Sequence, residues 1–274
     1  MTSKPFRFAV QGLPQEGSQW LALARRAEEL GYSALLMADG MQLPSPFPAL
    51  ALAAGATTSL RVGTFVAASP LRPPGLVAWD AHTLSDLTGG RFEFGIGTGR
   101  PEVTRQAARL TGKAEATGAE RLAMAEEAID RLRALDGDRH TPVLVAASGP
   151  KARALAAAKA DIVTIAAGPL TSRDEIARLT AEIRSAAGDR AAQLEFISPV
   201  FIVGDDAPPW AVRFLQADVA TMARHESLQL LRGTVTEMAD ELRRRRDTLG
   251  ISYVSVNAAF TEQLAPVVEL LAGR

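Results

Sequence analysis

Arg61-Val-Gly-Thr-Phe-Val-Ala67, then Gly75 to Leu87, then Arg91-Phe-Glu-Phe-Gly-Ile-Gly97 are the stretches that decide the fold. The first and third are short and apolar, as strands are. The middle one reads as a helix, closed by Gly89-Gly90. A strand, a helix and a strand in that order form a parallel unit with the helix covering the sheet.

The same unit continues in both directions. Upstream, Phe6 to Val10 and Tyr32 to Ala38 read as strands. Between them Trp20, Leu23, Ala24, Ala27 and Leu30 recur at helical spacing, with Gly31 at the expected C-terminal cap. Phe47 to Thr58 is an alanine-rich helix. Downstream, Pro142 to Ala146, Asp161 to Ile165, Glu195 to Val203 and Ile251 to Asn257 read as strands. The intervening helices are Ala119 to Leu135, Pro150 to Lys159, Arg173 to Ala187 and a long region Trp210 to Leu249 broken near Gly233. Gln263 to Leu271 closes the chain. Eight strands, each followed by helical sequence, predict an α/β fold in which one (β/α)8 TIM barrel takes up residues 1–274. An open doubly wound sheet is the alternative.

Composition narrows the function. The chain has 274 residues and no cysteine, which excludes a disulfide-stapled fold, a Cys-based zinc site and thiol redox chemistry. Thirty basic residues against thirty-one acidic ones leave no electrostatic footprint for nucleic acid. No apolar run is long enough for a membrane span, and the first residues do not resemble a signal peptide. A cytoplasmic protein acting on a small molecule is expected. The three histidines, His82, His140 and His225, are scattered and form no zinc motif. The run Arg243 to Arg246 reads as a solvated helix face paired with Asp240 and Glu241. Trp20, Trp79 and Trp210 read as helix-packing residues.

In such a barrel the reactive groups sit where strands end. Ala146-Ala-Ser-Gly-Pro150 runs from a strand through small residues into a helix whose first position is proline. The N–H groups of Ser148 and Gly149, with the helix dipole, would suit a phosphate, and Ala166-Ala167-Gly168 would supply a second wall. A tight turn that needs small residues is the alternative. Gly95-Ile-Gly-Thr-Gly99 lacks the third glycine of a dinucleotide fingerprint. Its glycines would admit a flat ligand to the backbone, or relieve a crowded rim.

Several blocks resemble the luciferase-like monooxygenase superfamily. They are Ala49 to Ala54 with Thr57 to Thr64, then Arg72-Pro-Pro74 through Thr83 to Arg91, then Phe94 to Gly99, and finally Leu249 to Leu271. The overall look is most similar to the branch that uses the deazaflavin coenzyme F420. The resemblance implies a bacterial luciferase-like barrel that binds F420, with FMN as the alternative. It implies a non-prolyl cis peptide at Phe65 and Val66 behind the cofactor ring, and the phosphate on Ala147, Ser148 and Gly149 and on Ala166, Ala167 and Gly168. Gly97 and Gly99 join that set as cofactor contacts. Homodimers form in this family through helices near the second and third strands.

The departures are equally specific. Members commonly carry Asp-His after the second strand, where this chain has Asp39-Gly40. Some F420 members place a carboxylate after the Gly-Thr-Gly block, where Arg100-Pro101 stands here, with Glu102 next. Asp39 and Glu102 are the candidates for proton handling and Arg100 for an anionic substrate group. The segment usually inserted before the fifth strand is reduced to Asp136 to Thr141, so a more open site is expected. A degenerate, cofactor-free barrel with a binding or structural role is the rival expectation.

Overall fold

The computed structural model describes residues 4–274. Eight parallel strands close a barrel: β1 Arg7–Gln11, β2 Ala34–Met37, β3 Arg61–Thr64, β4 Phe92–Gly97, β5 Val143–Ala147, β6 Ile162–Ile165, β7 Glu195–Val200 and β8 Ile251–Asn257. Each pairs with its neighbour, β8 pairs with β1, and β3 pairs with β4, so the barrel is closed. The expected (β/α)8 barrel is borne out. Its helices are α1 Gly17–Glu29, α2 Pro46–Gly55, α3 Pro74–Leu87, α4 Pro101–Thr111, α5 Gly118–Asp136, α6 Pro150–Lys159, α7 Arg173–Ala187, α8 Pro209–Leu215, α9 Val219–Arg224, α10 Val235–Leu249 and α11 Thr261–Leu271.

Alternation along each strand divides two cores. On β4, Phe92, Phe94 and Ile96 join the large outer core under the helices. The inner core is small: Ala9, Leu36, Leu144, Ile197 and Tyr253 belong to it. Below it lies a charged floor. Glu93 accepts from Arg7, from Arg61 Nε at 2.8 Å and from the Tyr253 hydroxyl at 3.1 Å. Arg7 also donates to Glu195 at 2.7 Å and stacks on the Tyr253 ring at 4.2 Å. Burial pushes the Tyr253 phenol and the Glu195 carboxyl upward. At the N-terminal end of a barrel such a cluster serves stability.

Four expectations need correction. The third strand does not run unbroken to Ala67: it stops at Thr64 and resumes as Ala67–Ala68 beside β4. Helix α4 was not foreseen, because its buried face is only Val103, Thr104 and Ala107 while Leu110 is exposed. The region from Trp210 to Leu249 is three helices rather than one broken helix. Leu230–Leu231 lies between α9 and α10 and pairs with Ile202–Val203, just past the end of β7. Trp20 packs as expected and donates to the Ala49 carbonyl at 2.7 Å, but Trp79 is 61% and Trp210 36% exposed.

The arginine run differs too. Arg245 is buried rather than solvated, and donates to the carbonyls of Leu228 and Leu230 at 2.7 and 2.8 Å. Its partner Glu241 also accepts from Arg173 and Arg244. Burial opposes ionising Glu241, yet Arg245 beside it, with these donors, holds its carboxyl down at about 2 against an ordinary 4.5. A folded value below the unfolded one gives stability that is present above pH 4.5 and lost as pH falls towards 2. Glu241→Gln should flatten this part of the acid-unfolding profile. An unchanged slope of denaturation midpoint against pH would contradict the assignment.

Gly95 is required by the break in the third strand. A Cβ there would overlap the Thr64 carbonyl oxygen, which belongs to backbone and cannot swing aside. Gly95→Ala is expected to cost about 1–3 kcal/mol, the usual range for overpacking. Urea denaturation of the variant would measure it, and a loss below about 0.5 kcal/mol would show that the strand break is not rigid.

Candidate active site

The C-terminal ends of the strands carry a bulge, a cradle and an insert. The bulge follows β3, where the Phe65–Val66 peptide is cis. Both residues are half-buried and lie on the inner core. Phe65 N donates to Met37 O at 2.7 Å before the bulge, and Ala68 N donates to Asp39 Oδ2 at 3.1 Å after it. Gly97 faces the bulge: a Cβ there would lie 3.0 Å from Val66 Cγ2 and 3.2 Å from Ala146 Cβ. Gly99 lies beside Ala68 and Pro70. Of the two roles considered for these glycines, Gly97 visibly serves a crowded rim.

The cradle follows β5. Ala147 is buried, while Ser148 is exposed and Gly149 is the N-cap of α6 with Pro150 at its first position. Arg153 donates to the Ser148 carbonyl at 3.0 Å and pairs with Glu182 at 3.0 Å. That contact satisfies the Ser148 carbonyl, and Gly149 caps the N-terminus of α6, where the first N–H groups have no partner within the helix. A Cβ on Gly149 would meet nothing within 4 Å, so the space beside it is open. The first turn of α6 has no acidic residue and contains Lys151. This donor set fits a phosphate. The second wall is more restricted. Ala166 N donates to Ala147 O and Ala167 N to Ile165 O, while Thr171 N donates to Gly168 O.

The residues considered for chemistry are spread apart. The Asp39 side chain is buried, and Arg72 engages both its oxygens at 2.6 and 3.3 Å. With Ala68 N on Oδ2 as well, it braces the bulge. Glu102 lies in the first turn of α4, is exposed and pairs with Arg105 at 3.1 Å. The N–H groups of that turn and Arg105 lower its carboxyl further, so it is ionised at neutral pH. Arg100 is exposed and forms no ion pair among the described residues. Its guanidinium lies 5.2 Å above the Phe214 ring, which packs at 5.2 Å on Phe201. Phe214 belongs to α8 in the insert after β7, and Arg100 follows β4. The insert therefore reaches the loop after β4 and covers part of the mouth. Arg72, Arg153, Phe201 and Phe214 were not foreseen. Arg72 stood in plain view in Arg72-Pro-Pro74, but only geometry reveals its partner.

The site is framed by a cis-peptide bulge after the third strand and a small-residue turn into a proline-led helix after the fifth. The chain belongs to the luciferase-like monooxygenase family, whose model matches residues 3–251. It is 29% identical over 226 residues to an F420-dependent glucose-6-phosphate dehydrogenase of Nakamurella multipartita, covering 71% of this chain and 67% of that one. The curated relatives matched first are spanned over about 40% of their length. Among solved structures it resembles an F420-dependent secondary alcohol dehydrogenase in complex with an F420-acetone adduct. There the TM-score is 0.74 at 18% identity, covering 96% of this chain and 99% of that one. It also resembles the oxygenating constituent of 3,6-diketocamphane monooxygenase from Pseudomonas putida in complex with FMN. That match has a TM-score of 0.72 at 13% identity, covering 97% and 95%. The named proteins are two F420-dependent dehydrogenases and a monooxygenase component in complex with FMN.

Proposed function

We propose that this chain is an F420-dependent oxidoreductase that transfers hydride between the deazaflavin and a small organic substrate, with FMN the alternative cofactor. The observation that carries the reading is the small-residue turn of Ser148 and Gly149 that opens α6, with open space beside Gly149, two strands along the rim from the cis Phe65–Val66 bulge. When bound, the cofactor supplies the hydride chemistry. The protein supplies the rest. Ser148 and Gly149, with Gly168 opposite, hold the phosphate. Phe65, Val66 and Gly97 back the ring, and Asp39 with Arg72 keeps that backing in place. Ala147, Ala166, Ala167 and Gly99 shape the walls. Arg100, held on Phe214, meets an anionic group of the substrate. Since Asp39 is engaged and Glu102 lies in solvent, the reaction's proton is exchanged with water at the mouth. Titration of the purified protein with F420, FMN and FAD, followed by cofactor fluorescence, tests the reading. Saturable binding of F420 or FMN supports it. No binding of any of them at high micromolar concentration leaves the cofactor-free barrel.

The chain also forms a homodimer in this reading. Helix α2 carries no charged residue, and its outer face is Pro48, Ala51, Leu52 and Gly55. On adjoining α3, Leu76 and Trp79 are 53% and 61% exposed. An apolar face shared by two neighbouring helices suits a self-complementary contact. Trp79→Glu should convert the dimer to monomer in sedimentation, and a monomeric wild type would refute the assignment.

A further inference from the structure

The segment Glu226 to Leu231, in the insert after β7, is tied to the loop after β6 by side chains that the proposed chemistry leaves unused. Ser227 Oγ donates to the Pro169 carbonyl at 2.5 Å. Arg173, which opens α7, donates to the Glu226 carbonyl at 3.1 Å and to Glu241 at 2.6 Å. Between these contacts stands Gln229. Its main-chain carbonyl accepts from Phe201 and Ile202. Its side-chain Nε2 donates to the Ala167 carbonyl at 3.3 Å. Its Oε1 is buried without a partner. Beside it is a cavity of about 30 Å³ lined also by Gly168, Thr171 and Ser198, which is room for an ordered water.

Ala167 is the awkward member of the second wall. Its N–H is already donated to Ile165, so it has only a carbonyl to present. A carbonyl oxygen turned towards the cradle would repel an anion. Gln229 Nε2 engages that carbonyl from the side of the insert, and Gly168 N–H is the next donor along the loop. The first wall is built the same way, with Arg153 on the Ser148 carbonyl. Both loops therefore have a carbonyl pinned by a side chain from outside the loop.

We propose that Gln229 is a positioning residue for the cofactor phosphate: by holding the Ala167 carbonyl it lets the loop after β6 accept an anion, and it links that loop to the insert over the mouth. The inference rests on the phosphate assignment above. The experiment compares each phosphorylated cofactor with its phosphate-free counterpart, F420 with its deazariboflavin core and FMN with riboflavin. The variants are Gln229→Leu, which removes the donor, and Gln229→Asn, which keeps an amide too short to reach. Dissociation constants are read from fluorescence, and melting temperatures check folding. The expected result is that affinity for the phosphorylated ligand falls about tenfold or more in both variants, while that for the phosphate-free ligand stays within about twofold. A purely structural role would weaken both ligands equally, and that outcome, or an unchanged ratio, overturns the proposal. A wild type that does not distinguish the two ligands overturns the phosphate assignment itself, whereas a distinguishing wild type with unchanged variants overturns only the role of Gln229.

Discussion

Gly149→Glu is expected to remove measurable cofactor binding while leaving the fold intact. The new carboxylate would stand in the open space at the start of α6 and compete with the phosphate for the same N–H groups. Two like charges about 4 Å apart at an effective dielectric near 20 repel by about 4 kcal/mol, which corresponds to roughly a thousandfold in affinity. Folding is spared for two reasons. The backbone of Gly149 is at φ −92°, which any residue adopts, and an acid at a helix N-terminus is favourable. Fluorescence titration beside a melting curve separates the two effects. An unchanged affinity would remove the cradle from the account.

Glu93→Ala is expected to be the most destabilising single change. Glu93 is the shared acceptor for Arg7, Arg61 and Tyr253 on the barrel floor. Removing one partner of a buried pair leaves uncompensated charge and typically costs about 3–5 kcal/mol. For a chain of this size that lowers the melting temperature by roughly 6–20 °C, taking about 2–4 °C per kcal/mol. Glu93→Gln keeps an acceptor oxygen for the hydroxyl and one guanidinium, and should cost less. Urea denaturation of both variants tests the ordering. Equal stability of wild type and Glu93→Ala would mean that the floor contributes nothing net.

How much of this was legible in the sequence follows from which interactions are local. The strands and most helices were, because apolar alternation and 3.6-residue spacing are set by near neighbours. The small residues around Ser148 and Gly149 marked the cradle because a strand, a tight turn and a proline-led helix are contiguous there. The floor was not legible. Arg7, Glu93 and Glu195 are far apart in sequence and meet only when the barrel closes. Asp39 was singled out as a strand-end carboxylate, but its commitment to Arg72 and Ala68 depends on the chain after the bulge returning to the end of β2. Arg245 was misread because Arg243 and Arg244 beside it are solvated, while its own partners, the Leu228 and Leu230 carbonyls, come from the preceding segment and meet it only in the fold. Arg246 likewise turns in, over the Phe6 ring. The insert after β7 was read as one helical region because its short helices share helical composition, while the paired Ile202–Val203 and Leu230–Leu231 are too brief to show periodicity.

In the proposed reading, the C-terminal face of this barrel holds the cofactor between the Phe65–Val66 bulge and the Ser148–Gly149 turn. A crystal structure of the protein soaked with F420 or FMN tests it most directly. The account predicts the ring stacked against the bulge and phosphate oxygens within hydrogen-bond distance of the Ser148 and Gly149 N–H groups. A cofactor phosphate bound elsewhere, or a ring on any other part of the surface, would contradict it.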